Sequence, residues 1–261
     1  MSDTTIQTAA KQLREATASG QVCPPIRDLI GATALEDAYT VQKINNQLRI
    51  ASGARQIGCK IGLTSEAVQK QLGVDQPDYG LLFDDMEVMH GAVVPWDQLM
   101  QPKAEAEIAF VMKKSLPSAS ITTAELFSAI DYAVAAIEIV GSRIENWNIR
   151  IADTIADNAS ASHFVLGHRP LPLTHLDLIT SRMQLFKNAE KVSEGTGADC
   201  LGSPLTATMW LAKTMAKLGS PLQAGDIVLT GALGPMVAVE PGDSVRAVFD
   251  GLGEVSVRFG N

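Results

Sequence analysis

The sequence is short of cysteine and histidine, has no basic excess and has no long apolar run, and each shortage removes a class of function. Three cysteines, Cys23, Cys59 and Cys200, are too few and too scattered for a disulfide framework, and their spacing matches no zinc motif. A reducing, cytoplasmic setting is the expectation. Cys59 lies beside Lys60, a neighbour that can lower a thiol pKa, yet a single cysteine in an apolar run reads as core filler. The four histidines, His90, His163, His168 and His175, show neither ligand spacing nor a neighbouring Ser or Cys nucleophile motif, and read as structural or surface residues. Lys and Arg number 21 against 29 Asp and Glu, a net charge of −8. That balance argues against a nucleic-acid groove or an anionic membrane surface as the main partner. The opening MSDTTIQTAAKQLREATASG has no basic stretch followed by an apolar one, and no apolar run approaches the roughly eighteen residues of a membrane span. A soluble, unexported protein is expected.

What is present is enough apolar material, 46% of 261 residues, for one large domain or a small lobe joined to a larger one. Residues 4 to 19 place Ile6, Ala9, Ala10, Leu13 and Ala16 on one helical face, with Ser2 or Asp3 as cap. Thr33-Ala34-Leu35-Glu36 has capping-box spacing, and Leu35, Ala38, Val41, Ile44 and Leu48 follow at helical intervals up to Gly53. Residues 1–55 therefore read as a helical N-terminal lobe. From Gln56 onward short apolar runs between Gly and Pro suggest strands, among them Ala104 to Met112 and Val134 to Val140. Helices interrupt them at Thr122-Thr123-Ala124-Glu125, a second capping box, and at Ser203-Pro204, which opens a helix reaching Leu218. The runs Ile227 to Thr230, Met236 to Val239, Val245 to Phe249 and Val255 to Phe259 make the C-terminal end nearly all β. The class is α+β: a helical lobe, then residues 56–261 as a larger domain with a curled, mostly antiparallel sheet.

The chemistry lies in carboxylates placed where carboxylates are costly. On a strand, Glu105 and Glu107 share one face while Ala104, Ala106, Ile108, Phe110 and Met112 form an apolar opposite face. Like charges side by side raise one pKa or require a cation. Glu138 sits in Ala133-Val134-Ala135-Ala136-Ile137-Glu138-Ile139-Val140, where an unpaired carboxylate would cost several kcal/mol of desolvation. Three rigid carboxylates without a matching histidine set or CxxC form the oxygen-ligand pattern of Mg²⁺ or Mn²⁺. The alternative is a solvated strand face for Glu105 and Glu107, with Glu138 paired to Lys or Arg. Other positions are open on residue type alone. Lys60, in the glycine-flanked strand Gln56 to Gly62 that runs into a short helix after Ser65, reads as a snorkelling lysine. Asp78, in Gln76-Pro77-Asp78-Tyr79-Gly80, reads as a turn aspartate. Asp153 to Ser160 reads as a polar loop, and Thr230 to Pro235 as a turn between strands.

Taken as a set, KIGLTSEAVQKQLGVDQPDYG (60 to 80), QPKAEAEIAF (101 to 110), AIEIVGSRIENW (136 to 147), DTIADNAS (153 to 160) and GDIVLTGALGPMVAVEPGD (225 to 243) resemble the 2-hydroxypenta-2,4-dienoate (2-oxopent-4-enoate) hydratases of the meta-cleavage route for aromatic compounds. These lie within the fumarylacetoacetate hydrolase superfamily. The resemblance covers nearly the whole chain and implies that superfamily's mixed β-roll behind a helical lobe, in a homo-oligomer. It implies that Glu105, Glu107 and Glu138 hold Mg²⁺ or Mn²⁺, and places Lys60, Asp78 and Ser160 around the substrate, with Thr230 and Gly231 near the substrate carboxylate. Hydration of such a dienoate needs a group to move protons and orient water, and Asp78 with Lys60 is the expected pair.

Rival readings remain on the same scaffold. The sister 4-oxalocrotonate decarboxylases are similar, but tend to lack the aspartate of Pro77-Asp78-Tyr79 and to differ at Gly231 to Pro235. Hydratases of longer diacid dienoates share the PDYG sequence, so substrate length is less fixed. Carbon–carbon hydrolases of the superfamily need a histidine dyad, and only His90 precedes the metal strand. A non-catalytic scaffold for neighbouring pathway enzymes would be signalled by degenerate metal ligands, and all three are intact.

Overall fold

A computed structural model of the chain describes residues 2–65, 69 and 76–261. The helix expected to begin after Ser65 falls mostly outside the described residues. The helices are α1 (Asp3–Ser19), α2 (Arg27–Ile30), α3 (Leu35–Ala51), α4 (Thr123–Ala129), α5 (Ile151–Ala156) and α6 (Pro204–Lys217). The strands are β1 (Gln56–Gly62), β2 (Asp78–Phe83), β3 (Glu87–Val88), β4 (Val93–Val94), β5 (Lys103–Met112), β6 (Ile130–Val140), β7 (Ala161–Leu166), β8 (Arg182–Lys187), β9 (Glu190–Thr196), β10 (Ile227–Ala232), β11 (Val237–Ala238), β12 (Ser244–Phe249) and β13 (Gly253–Phe259).

The fold is α+β. Among the described residues, one sheet runs β2-β1-β10-β5-β6-β7-β3 with β11 paired to β5, and a second runs β4-β13-β12-β8-β9. Pairing is antiparallel except at β1–β10, β13–β4 and β3–β7. The main core lies between the sheets, where Ile108, Phe110 and Ile137 of the first meet Val245, Ala247, Val255 and Val257 of the second. Leu211 and Met215 of α6 join the same core. Strand alternation then sends Glu105, Glu107, Glu138 and Lys60 to the other face of the first sheet, where they share a surface with apolar Ala109, Val134, Ala136 and Leu229.

Helix α1 follows its sequence pattern, with Ser2 Oγ accepting from Thr5 N and Ile6, Ala9, Ala10, Leu13 and Ala16 buried. Thr122 and Glu125 form the reciprocal cap of α4, and Ser203 caps α6. At α3 the expectation fails twice. The cap is Ala34, with no side-chain bond, because the chain turns from Gly31 to Ala34 before the helix begins and leaves Thr33 outside it. Leu48 is 47% exposed, while Gln42 and Asn46 are buried. Their polar side chains face inward because they have specific partners: Gln42 Nε2 donates to Tyr79 O (2.9 Å) and Ile155 O (3.0 Å), and Asn46 Nδ2 donates to Asn158 Oδ1 (3.1 Å). The rest of α1, α2 and α3 packs on Ile144, Ile151, Ala152 and Ile155, so these helices and α5 form one apolar cluster.

Replacing Gln42 by Leu leaves two buried carbonyls without a donor, a loss of about 2 to 4 kcal/mol. Urea unfolding should show a lower midpoint at unchanged m-value.

Candidate active site

Three carboxylates come together by register. Glu105 on β5 lies directly opposite Glu138 on β6, and Glu107 lies one pleat further along the same face. Glu105, Glu107 and Glu138 each offer an oxygen within 4.8 Å of the others. At that spacing each pair of full charges repels by roughly 3 kcal/mol for an effective dielectric near 20. Glu107 and Glu138 are buried, and Glu107 Oε1 and both Glu138 oxygens accept no hydrogen bond of good geometry among the described residues. The Lys60 ammonium lies 3.1 Å from Glu138 Oε1 as an ion pair, which offsets one charge of the three. Gly231 N donates to Glu107 Oε2 at 2.9 Å. Burial first, then Glu138 and Glu105, pushes the Glu107 carboxyl well above the usual range. Burial and the Glu138 charge raise Glu105 to about 7. Unpartnered buried oxygens, an excess of negative charge and an all-oxygen donor set fit a hard divalent cation. Glu105, Glu107 and Glu138 would hold it.

Lys60 and Asp78 are neither a snorkelling lysine nor a turn residue. Both sit in strands, 3% and 1% exposed, and face the same side because Lys60 pairs with Gly80 and Gly62 with Asp78. Burial pushes Asp78 up to about 6 against the lowering effect of Lys60. Burial alone would lower Lys60, but Glu138, Glu105 and Asp78 together outweigh it and keep the ammonium charged.

The third side of the site is a strained turn. Asn158, Ala159 and Ser160 have φ of 53°, 51° and 57°, three consecutive non-glycine residues in the left-handed region, each at a cost of order 1 kcal/mol or more. The Asn158 amide holds them: Leu81 N donates to its Oδ1 and its Nδ2 donates to Leu81 O, both at 2.9 Å. Gly80 is required below the turn, since a Cβ there would collide with the Asn158 carbonyl. The result is that the Ala159 carbonyl accepts from Lys60 Nζ at 2.9 Å, while Ser160 Oγ lies 3.3 Å from Thr154 Oγ1. Asp153 to Ser160 is therefore a helix and a locked turn where the sequence suggested a polar loop. Its aspartates are engaged inside, Asp153 with Arg27 at 2.6 Å and Asp157 with Arg143 at 2.5 Å.

A cleft of about 550 Å³ opens onto this face, lined by Lys60, Asp78, Glu105 and Ser160 with Lys103, Thr154 and the apolar Val140, Ile149, Leu233 and Met236. Thr230 and Gly231 are not a turn but the end of β10, beneath the cleft. The Thr230 hydroxyl donates to Ile108 O at 2.7 Å and its carbonyl accepts from Cys200 Sγ at 3.0 Å. Neither Thr230 nor Gly231 has its donor free toward the cleft. Cys200 is buried and its thiol is pushed up to about 12 by burial and Glu107, so it is inert. Sequence reading missed Gln42, Asn158 and Lys103: amides and a strand-end lysine have no spacing signature, and only the register shows what they face.

The chain belongs to the fumarylacetoacetate (FAA) hydrolase family, whose C-terminal domain it matches over residues 56–259. It is 53% identical to 2-keto-4-pentenoate hydratase 1 of Dechloromonas aromatica over 97% of this chain and 96% of that one. It is 54% identical to the TodF product hydratase of Pseudomonas putida F1, over 97% and 95%. Among solved structures it is similar to 4-oxalocrotonate decarboxylase from Pseudomonas putida G7 complexed with magnesium and adipate, with TM-score 0.94 and 35% identity, over 99% of this chain and 98% of that one. The protein is an enzyme. Among the described residues no helix is long and apolar enough to cross a membrane.

The raised carboxyls give a pH signature. Asp78 at about 6 and Glu105 at about 7 bind protons in the folded state that the unfolded chain, with carboxyls near 4, has released. Without metal, stability should fall as pH rises from 5 to 7.5, and calorimetric melting should show the midpoint dropping over that window. Saturating Mg²⁺, which favours the ionised carboxylates, should remove most of the drop. Glu107→Gln should abolish the Mg²⁺ effect and leave the metal-free protein folded.

Proposed function

We propose that the protein is a divalent-metal-dependent hydro-lyase converting 2-hydroxypenta-2,4-dienoate, or its tautomer 2-oxopent-4-enoate, to 4-hydroxy-2-oxopentanoate. The observation that carries this reading is the trio of Glu105, Glu107 and Glu138 beside the buried Lys60 and Asp78, with Glu105, Lys60 and Asp78 all lining one cleft. The hydratase names of relatives identical at more than half of positions support the reaction type. Mg²⁺ or Mn²⁺ is the cation the all-oxygen donor set fits.

The residues have separable tasks. A cation held by the three glutamates would supply chelation of a 2-oxo acid and stabilisation of enolate charge. Asp78, at about 6, is able to hold or release a proton near neutral pH, as moving protons at C5 and C3 and activating water for C4 requires. Lys60 stays an ammonium; fixed by the Ala159 carbonyl and Glu138, it orients negative charge and does not act as a base. Ser160, on the cleft wall beside Thr154, contacts the substrate. Thr230 and Gly231 serve from below, Gly231 by holding Glu107. In sequence the reaction is proton delivery to C5, water addition at the conjugated C4, then protonation at C3.

The family match begins at residue 56, which supports dividing the chain into a helical lobe, 1–55, and a catalytic domain, 56–261. A homo-oligomer in the cytoplasm, working beside other enzymes of aromatic-ring degradation, completes the reading on the strength of the resemblance. The decarboxylase reading has one observation in its favour, the likeness to the Pseudomonas putida G7 structure. Against it stand the higher identity to hydratases and Asp78 at the site.

The test is product mass. Incubation of the dienoate with Mg²⁺-loaded protein should add one water and release no carbon dioxide; carbon dioxide from 4-oxalocrotonate without hydration of the dienoate would select the decarboxylase. Asp78→Asn should lower kcat by roughly 10²- to 10⁴-fold, the usual worth of a general acid or base, with metal affinity nearly unchanged. Retained C3 and C5 exchange with deuterated solvent in that variant would return Asp78 to a structural role.

A further inference from the structure

We propose that Lys103 receives the substrate carboxylate and thereby sets the direction in which the substrate lies over the glutamate trio. The inference rests on the dienoate reading and adds a recognition group to it. The donors expected near the carboxylate are occupied elsewhere: Thr230 Oγ1 by Ile108 O and Gly231 N by Glu107. Among the described residues the cations lining the cleft are Lys60 and Lys103. Lys60 is already engaged by Ala159 O at 2.9 Å and Glu138 at 3.1 Å.

Lys103 is different in each respect. It opens β5 on the same face as Glu105 and Glu107, and it pairs with Val140 of β6 on one side and Ala238 of β11 on the other. It therefore borders the trio on the flank away from Lys60 and Asp78. Its ammonium lies 4.2 Å from the centroid of the Trp147 ring and has no hydrogen-bond acceptor or ion-pair partner among the described residues. A ring face satisfies one side of an ammonium and leaves its other donors available. The platform is rigid. Trp147 Nε1 donates to Gln101 O at 2.9 Å, and Gln101 Nε2 donates to Ser142 O and Ile144 O at 2.9 and 2.7 Å. Asn146, Trp147 and Gln101 all have positive φ, 55°, 53° and 49°, strain that persists only where the surroundings fix it. The same cleft is also lined by the apolar Val140, Ile149 and Leu233, suited to an unsaturated carbon chain. A 2-oxo acid with its carboxylate on Lys103 then extends C3 to C5 toward Asp78 and Lys60.

The two ends of the site should separate in kinetics and in binding. In Mg²⁺-loaded protein, Lys103→Met should raise the KM for the dienoate by about ten- to hundredfold, the range for one charge-assisted hydrogen bond, with kcat within about threefold. The saturated analogue 2-oxopentanoate, which has the head group but cannot react, should lose affinity by the same factor in calorimetry, and Lys103→Arg should recover most of it. Its binding should change tryptophan fluorescence in the wild type and not in Trp147→Phe. Asp78→Asn should bind 2-oxopentanoate normally, and Mg²⁺ affinity should not weaken in Lys103→Met. Wild-type affinity of Lys103→Met for 2-oxopentanoate, or a fall in kcat at unchanged KM, would overturn the assignment. A wild-type protein that binds 2-oxopentanoate through Lys103 yet does not hydrate the dienoate would overturn only the reaction.

Discussion

Mutual repulsion among Glu105, Glu107 and Glu138 is the constraint around which this molecule is organised. Two of the three are buried, with a single lysine paired to one of them, and such an arrangement is stable only if the surrounding backbone does not yield. The central strands supply that stiffness: β5 and β6 are paired along nearly their whole length, and the opposite face of both is locked into the inter-sheet core. The strain is therefore held by two strands fixed along one face by the inter-sheet core, and a cation that relieves it gains affinity from a site it does not have to assemble.

Lys60 shows how charge and position are set together. A lysine at a fully buried strand position would ordinarily lose its proton, yet here four acidic neighbours overcome desolvation. Its direction comes from elsewhere, from a carbonyl in a left-handed turn pinned to β2 by the Asn158 amide. Helix α3 adds Asn46 to the same amide and Gln42 to the strand beside it. The N-terminal helices thus reach the chemistry through side-chain amides, without contributing a charged group to the cleft.

Much of this was legible in the sequence, and the boundary of legibility has physical causes. Period-two alternation placed Glu105 and Glu107 on one face, and the apolar flanks of Glu138 marked it as a carboxylate needing a partner. Capping chemistry located α1, α4 and α6 because those caps are local. Asp78 and Lys60 gave no such signal: turn-like flanks and a single glycine-bordered lysine look ordinary until β1 and β2 are paired. Gln42 is hidden for the opposite reason, since an apolar helix pattern treats a buried amide as noise and sends Leu48, which is exposed, to the buried face that Gln42 and Asn46 occupy. Register, which joins residues scores of positions apart, is the information that a single chain does not display.

The Asn158 clamp has another consequence. Strand β2 ends its sheet, and an edge strand exposes backbone donors and acceptors to which a strand from another molecule could add. On β2 the Leu81 N–H and carbonyl are taken by Asn158 and the Tyr79 carbonyl by Gln42. The same amides that seat the turn blunt the border of the sheet, so protection against edge-to-edge aggregation is built from the residues that shape the site.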